Sequence, residues 1–320
     1  MEQKSIPTRV GPYQVAQFLG EGGMGSVYLA HSRGGRPVAV KVIRPELARE
    51  PSFRHRFARE VTAARAVNGA YTAPVVNADT ECEQPWLATV FVSGPSLWQA
   101  VRANGPLTIE QVRRLGAGLA EALLDIHAGG IVHRDLKPQN VLMDTTGPRV
   151  IDFGIAHVTD LPPLTDPGAL LGTPHFMSPE QIKGSKPTTA SDVFSFGLVL
   201  SFAATDRSPF GTGSNAQLLY RIAHTEPDVR SLPDGLRVLV AACLAKHPGQ
   251  RPTPAELLDA LGHRPCPGAP PAPPAPRPYT PTLWEPQPRH GAVDLARNAQ
   301  ALLTDGLTDA LLIEAAGHGS

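Results

Sequence analysis

The sequence predicts an α+β chain made of two unequal lobes, and three observations predict it. Short alternating runs of β-branched and apolar residues, set between glycines, fill the front of the chain as far as Ile43. From Thr108 onward apolar residues recur instead at helical spacing. Hydrophobic residues make up 42% of the 320 positions, enough for a sizeable core and too many for wholesale disorder.

The strands come first. Residues 13–19 and 26–30 flank a glycine cluster, and 37–43 follow the Gly34-Gly35 turn. A helix is expected over 52–67, where Phe53, Phe57, Val61 and Ala64 keep helical spacing. Thr108 with Gln111 three residues on is a capping-box start. Val112, Leu115, Leu119, Leu123 and Ile126 then form one apolar stripe, which Gly129-Gly130 stops. The uncharged run 193–205, closed by Asp192 and Asp206, is shorter than the roughly 20 residues of a membrane span and reads as a buried helix. Helices are also expected over 190–204, 215–224, 235–245 and 254–261. Eleven of the 34 prolines fall in 265–288, so 265–290 is expected to be an extended, disordered linker. In the tail, 291–320, Leu302, Leu303, Leu307, Leu311 and Leu312 approach helical spacing, but Gly306 interrupts them; one weak helix or two short ones are expected.

Composition narrows the function. Twenty-nine basic and 29 acidic side chains balance to a formal net charge of zero, which argues against a nucleic-acid binder. Cys82, Cys243 and Cys266 are an odd set at wide spacing and fit neither a disulfide framework nor a zinc cluster, which suits a reducing cytoplasm. No apolar run follows the first charged residues, so no secretion signal is expected, and the chain is expected to be soluble unless something else anchors it.

Gly20-Glu21-Gly22-Gly23-Met24-Gly25 fits G-x-G-x-x-G. In a dinucleotide-binding fold such glycines lead into a helix that receives a pyrophosphate. Here they lead into the alternating run 26–30, which makes a hairpin whose amides could approach a triphosphate, or an ordinary glycine-rich hairpin. Lys41, on the next strand, can reach phosphate oxygens or simply end a strand in solvent. Glu60 follows Phe53 and Phe57 at helical spacing and should face inward, where an ion pair could hold Lys41. His133-Arg134-Asp135-Leu136-Lys137-Pro138-Gln139-Asn140 and Asp152-Phe153-Gly154 complete the set.

At these residues the chain resembles the eukaryotic-type (Hanks-type) protein kinases, above all the soluble serine/threonine kinases of bacteria, over about 10–261. Ser178-Pro179-Glu180 stands where the family usually has Ala-Pro-Glu, and Asp192 and Arg251 match its late structural motifs. The resemblance implies the two-lobed protein kinase fold over 1–264. The small lobe, about 10–92, would be an antiparallel sheet plus one helix, and the large lobe, about 93–264, mainly helical. It implies ATP and Mg2+ as cofactors and Ser/Thr protein substrates. Lys41, oriented by Glu60, would hold the α- and β-phosphates; Asn140 and Asp152 would coordinate magnesium; Asp135 would be the base and Lys137 would stabilise the transferring group. Gly20, Glu21, Gly22, Gly23, Met24, Gly25 and Ser26 would form the flap over the phosphates. Leu19 and Val27 would roof the adenine pocket, with Ala39 behind and Leu142 beneath. Thr89 would guard the deeper pocket, and Val90, where many relatives have glutamate, and Val92 would offer main-chain groups to the adenine edge.

The same resemblance gives Arg134 a regulatory meaning, since a buried guanidinium beside the base needs an anion. A phosphorylated residue between Asp152 and Glu180 could supply it. Thr159, Thr165 and Thr173 are the candidates: Thr173 resembles the threonine that bonds the catalytic loop, leaving Thr165 as the expected autophosphorylation site, reached in trans through a transient homodimer. Asp192 is expected to accept amides of the catalytic loop, and Arg251 to pair with Glu180. Ser178 puts little in doubt, and His127, His157, His175 and His247 receive no function. Two alternatives stay open: a pseudokinase scaffold that binds nucleotide without transferring phosphate, and a docking protein whose proline-rich segment fits a partner's aromatic groove.

Overall fold

The computed structural model describes residues 6–153 and 174–262. The chain divides into two units, Met1–Cys266 and Pro267–Ser320, and every described residue belongs to the first. The linker expected over 265–290, the tail 291–320, and Gly154, His157, Thr159, Thr165 and Thr173 lie outside the described residues.

The front of the chain forms β1 (Arg9–Val10), β2 (Tyr13–Gly22), β3 (Gly25–His31), β4 (Pro37–Ile43), α1 (Pro45–Ala48), α2 (Pro51–Ala64), β5 (Val75–Asp79) and β6 (Trp86–Val90). The strands make one six-stranded sheet in the order β1-β2-β3-β4-β6-β5, every pair antiparallel. Side chains alternate between the sheet's two faces. On one, Val38, Val40 and Val42 of β4 are buried with Tyr28, Ala30, Trp86 and Ala88. Directly opposed residues share a face, so the pairs Val27↔Lys41, Leu29↔Ala39, Ala39↔Thr89 and Lys41↔Leu87 place these side chains together on the other. That second face merges through Leu87, Phe53, Phe57 and Val61 into the core of the large lobe. The expectation of a single small-lobe helix is corrected: α1, one turn with Pro45 presetting its first residue, precedes α2.

The large lobe holds α3 (Leu97–Asn104), α4 (Ile109–Ala128), the ribbon β7 (Val141–Asp144) and β8 (Gly147–Val150), α5 (Pro179–Ile182), α6 (Thr189–Thr205), α7 (Asn215–His224), α8 (Asp234–Cys243) and α9 (Pro254–Gly262). The Thr108–Gln111 capping box is formed, Gly129 ends α4, and Gly130 turns at φ +73°. Every residue from 191 to 203 of α6 is buried, as expected of a helix apolar all round, and it runs through the lobe's centre. The β7–β8 ribbon ties the lobes: Val150 N–H donates to Tyr71 O at 2.8 Å, and Ala73 N–H donates to Val150 O at 3.1 Å. No helix among the described residues is long and apolar enough to cross a membrane.

Candidate active site

Lys41 and Asp152 meet where the sheet faces the large lobe, Nζ to Oδ2 at 3.0 Å. Burial works to raise the Asp152 carboxyl, but the Lys41 ammonium, with His133 and Lys137, outweighs it and holds the group below its ordinary range. Asp152 stands at φ +58° and Arg134 at φ +67°, two of the three non-glycine residues with positive φ among the described residues. Such conformations cost on the order of 1–3 kcal/mol and persist only where the surroundings enforce them.

The expected Lys41–Glu60 ion pair is not formed. Glu60 Oε1 instead accepts from Arg134 Nη1 at 2.8 Å, and Lys41 spends its charge on Asp152. The physical reason is competition. Partly shielded charges pair with opposite ones, and the carboxylate that meets Arg134 is not free for Lys41, which meets Asp152. Among the described residues Arg134 has an anion in the Glu60 carboxylate of α2.

Below this pair lies the loop between α4 and β7. Lys137 Nζ pairs with Asp135 Oδ2 at 2.7 Å. Asn140 Nδ2 donates to Asp135 O at 2.8 Å and to Asp135 Oδ2 at 3.1 Å, leaving its amide oxygen for another partner. Asn140 O accepts from Ile151 N–H at 3.0 Å, which brings Asn140 beside the residue preceding Asp152. Asp192, buried on α6, holds the loop from beneath by accepting from His133 N–H and Arg134 N–H, both at 2.8 Å.

The glycine segment is a hairpin with a two-residue turn, Gly23-Met24, between β2 and β3. A Cβ at Gly25 would stand 1.9 Å from Val42 O, so only glycine lets β3 run this close to β4. A Cβ added at Gly20 or Gly22 would meet nothing within 4 Å, which leaves space that a ligand could enter. Leu19 sits in the bulge before Gly20 and is exposed, while Val27, its neighbour across the bulge, is half-buried. Glu21 pairs with Arg44 at 3.1 Å, Ser26 is buried, and Met24 packs on the core. Ala39 and Thr89 are direct partners; Val90 N–H is taken by Pro74 O at 3.0 Å, so only its carbonyl remains to offer. Leu142 bridges to Ser96 below, and Val92 lies half-buried just past the end of β6.

Among the described residues no three His, Cys, Asp or Glu side chains gather into a resident metal site. An amide oxygen and a carboxylate on adjoining segments suit a hard cation that keeps part of its water, which magnesium does. The donor set of Asn140 and Asp152 therefore fits an ion arriving with a nucleotide.

Two supports, His127 and Ser178, were undervalued in the sequence, while the expected pairing of Arg251 with Glu180 is formed. His127 Nε2 bonds Asp192 Oδ2 at 2.8 Å, so a histidine given no role braces the loop's anchor. Ser178 is fully buried and donates to Gln181 Oε1 at 2.9 Å; the same oxygen accepts Ser178 N–H at 3.0 Å, and Gln181 Nε2 donates to Arg134 O at 2.8 Å. The serine-x-x-glutamine spacing was the legible signal. Arg251 grips Glu180 through both guanidinium ends, at 2.6 and 2.9 Å. Burial opposes ionisation of Glu180, but bonds from Arg251 and Ser191 hold its carboxyl below the ordinary value.

Comparison with known proteins agrees with this geometry. The family described as "Protein kinase domain" matches residues 13–261. The chain is 53% identical over 259 residues to a probable serine/threonine-protein kinase, PkwA, of Thermomonospora curvata, covering 81% of this chain and 35% of that one. It is 52% identical over 252 residues to the serine/threonine-protein kinase AfsK of Streptomyces coelicolor, covering 78% and 32%. It thus spans about a third of the length of these curated relatives. The crystal structure of the Mycobacterium tuberculosis PknI kinase domain superposes with a TM-score of 0.60 at 25% identity, over 81% of this chain and 98% of that one.

Proposed function

The chain belongs to the protein kinase family, and from that premise we propose that it transfers the γ-phosphoryl group of ATP to serine and threonine hydroxyls of proteins. One observation carries the reading. Lys41 pairs with Asp152, Asn140 and Lys137 both meet Asp135, and the Asn140 carbonyl accepts from the N–H of Ile151, the residue before Asp152, so all five groups are gathered by one short run of contacts and chain. Phosphoryl transfer asks for positioning and charge neutralisation more than for covalent chemistry, and this series offers both.

Each residue then has a task. Lys41, once released by Asp152, holds the α- and β-phosphates. Asp152 and Asn140 hold magnesium, which when bound screens the phosphate oxygens. Asp135 receives or orients the proton of the attacking hydroxyl, and Lys137, already 2.7 Å from it, faces the charge on the transferring group. The hairpin closes over the phosphates, with Gly20 and Gly22 leaving room for them. Leu19, Val27, Ala39, Thr89, Val90, Val92 and Leu142 enclose the adenine.

In this reading the described pairing is a resting arrangement. Activation moves Glu60 from Arg134 to Lys41 and frees Asp152 for the metal; a phosphorylated threonine of the segment outside the described residues, Thr165 by preference, then takes Glu60's place at Arg134. Free thiols at Cys82 and Cys243 suit a reducing cytoplasm. A positioned base contributes about 10²–10⁴-fold in rate. Transfer from radiolabelled ATP should therefore fall by that factor in Asp135→Asn; equal incorporation by variant and wild type would instead favour a scaffold.

A further inference from the structure

Lys246, three residues beyond the end of α8, takes no part in the chemistry above. Of the other described lysines, Lys41 and Lys137 pair with Asp152 and Asp135, and Lys183 and Lys186 are exposed. Lys246 is half-buried, and its bonded partner is a main-chain carbonyl instead of a carboxylate. Nζ donates to Ile222 O, in the last turn of α7, at 2.8 Å. It lies 4.2 Å from the Phe210 ring centroid and 5.9 Å from that of Phe194. The two rings are stacked, 6.2 Å apart and 12° from parallel, so they present one apolar wall. The backbone beneath is fixed by Arg251, whose Nε donates to Ala245 O at 2.8 Å and whose Nη2 donates to Lys246 O at 3.2 Å.

This setting suits an uncharged nitrogen better than an ammonium. An ammonium has three N–H donors, and the protein offers it a single oxygen. Ring faces and the end of a helix both attract a cation, but neither replaces the water lost on burial. Burial, opposed by the exposed Glu226 carboxylate and aided by the Arg251 charge, pulls the amine down to about 8. A desolvated lysine beside a second cation is an activated nucleophile. Once neutral, it keeps one N–H for Ile222 O and has a lone pair to attack with. An N-acylated lysine keeps that N–H too, and its short acyl chain is apolar like the ring wall.

We propose that Lys246 is a site of N-acylation by small acyl phosphates. The amine attacks the acyl carbon, the bond from that carbon to the phosphate oxygen breaks, inorganic phosphate leaves, and the surplus N–H proton passes to water. The donor class follows from the setting, since a half-buried nitrogen admits a short acyl phosphate more readily than a bulky thioester. The site is independent of the phosphoryl-transfer reading, because it asks nothing of the crevice.

The test holds the full chain at about pH 8 with acetyl phosphate and follows each lysine by mass spectrometry of timed digests. Near that pH about half of the Lys246 amine is free, against less than about 1% of a lysine at its ordinary value. Half-burial and lower basicity consume part of this advantage, so acetylation about tenfold faster than at Lys183 or Lys186 is expected. Equal rates at the three lysines, or a slower one at Lys246, overturn the proposal. In guanidinium chloride strong enough to unfold the chain the preference should vanish. A preference that survives unfolding belongs to the neighbouring His247 and not to the fold, and it counts against the site equally. Acetyl coenzyme A at the same concentration should label Lys246 less than acetyl phosphate does; the reverse order refutes the donor assigned.

Discussion

Lys41, Glu60, Arg134 and Asp152 are two cations and two anions, and Lys41 has a choice between the two anions. The structure pairs Lys41 with Asp152 and Glu60 with Arg134; phosphoryl transfer requires Lys41 with Glu60 and Asp152 with a metal. The second arrangement leaves Arg134 without Glu60, so a new anion must meet it there. Glu60→Gln keeps the shape but removes the charge from both arrangements. A charge-assisted hydrogen bond contributes about 1.5–3 kcal/mol, so kcat/KM for magnesium-ATP is expected to fall by about 10- to 100-fold, measured in a steady-state peptide assay. The sequence made all four residues visible through their motifs, yet spacing along the chain carries no information about which cation takes which anion. That choice depends on where α2 sits relative to the large lobe.

Helices α5 and α6 meet through Arg251, whose side chain is wholly buried against Glu180 and beside the Phe194 ring, 4.9 Å from its centroid. Removing one member of such a pair strands the other. Arg251→Ala is expected to lower the unfolding free energy by about 3–5 kcal/mol in denaturant titration, and Arg251→Ala with Glu180→Gln should recover part of it. Lys246 joins α7 to the same region, donating to Ile222 O at 2.8 Å with its ammonium 4.2 Å from the Phe210 ring centroid. Burial pushes its amine down to about 8, from 10.5. The folded form therefore releases this proton first as pH rises. Between about pH 8 and 10.5 the unfolded chain holds more protons, so the lysine's contribution to stability should grow with pH. Lys246→Met should flatten that rise in melts recorded from pH 7 to 10. Helix α4, with its cap and stripe, and the spans of α6 to α9 were readable in advance; α3, α5 and the β7–β8 ribbon were not, being short or lacking a period that local pattern can reveal.

The two lobes share one continuous core, with Leu87 and Phe57 from the small lobe in the same cluster as Leu119 and Phe196 from the large. Nucleotide bound in the crevice between them should stabilise the folded chain as a whole. At a hundredfold excess over its Kd, magnesium-ATP is expected to add about 2.7 kcal/mol, seen as a raised melting temperature. Asp152→Asn should lose the magnesium-dependent part of that rise while keeping a nucleotide-only part. A rise indifferent to magnesium in wild type would contradict the metal role of Asp152.

Order, residue type and period were enough to announce two lobes, a glycine hairpin over a crevice and the groups gathered in it, because those features are written locally: strands alternate by two, helices recur by 3.6, and catalytic chemistry admits few substitutes. Which charges are joined at rest, that His127 braces Asp192, and that Arg54 clasps a turn far along the chain arise only when distant segments pack together. These partners stand 111, 65 and 26 to 29 residues apart, at Lys41–Asp152, His127–Asp192 and Arg54 with the Thr80–Glu83 carbonyls. Electrostatic pairing follows distance in space, and no pattern read along the polymer encodes it.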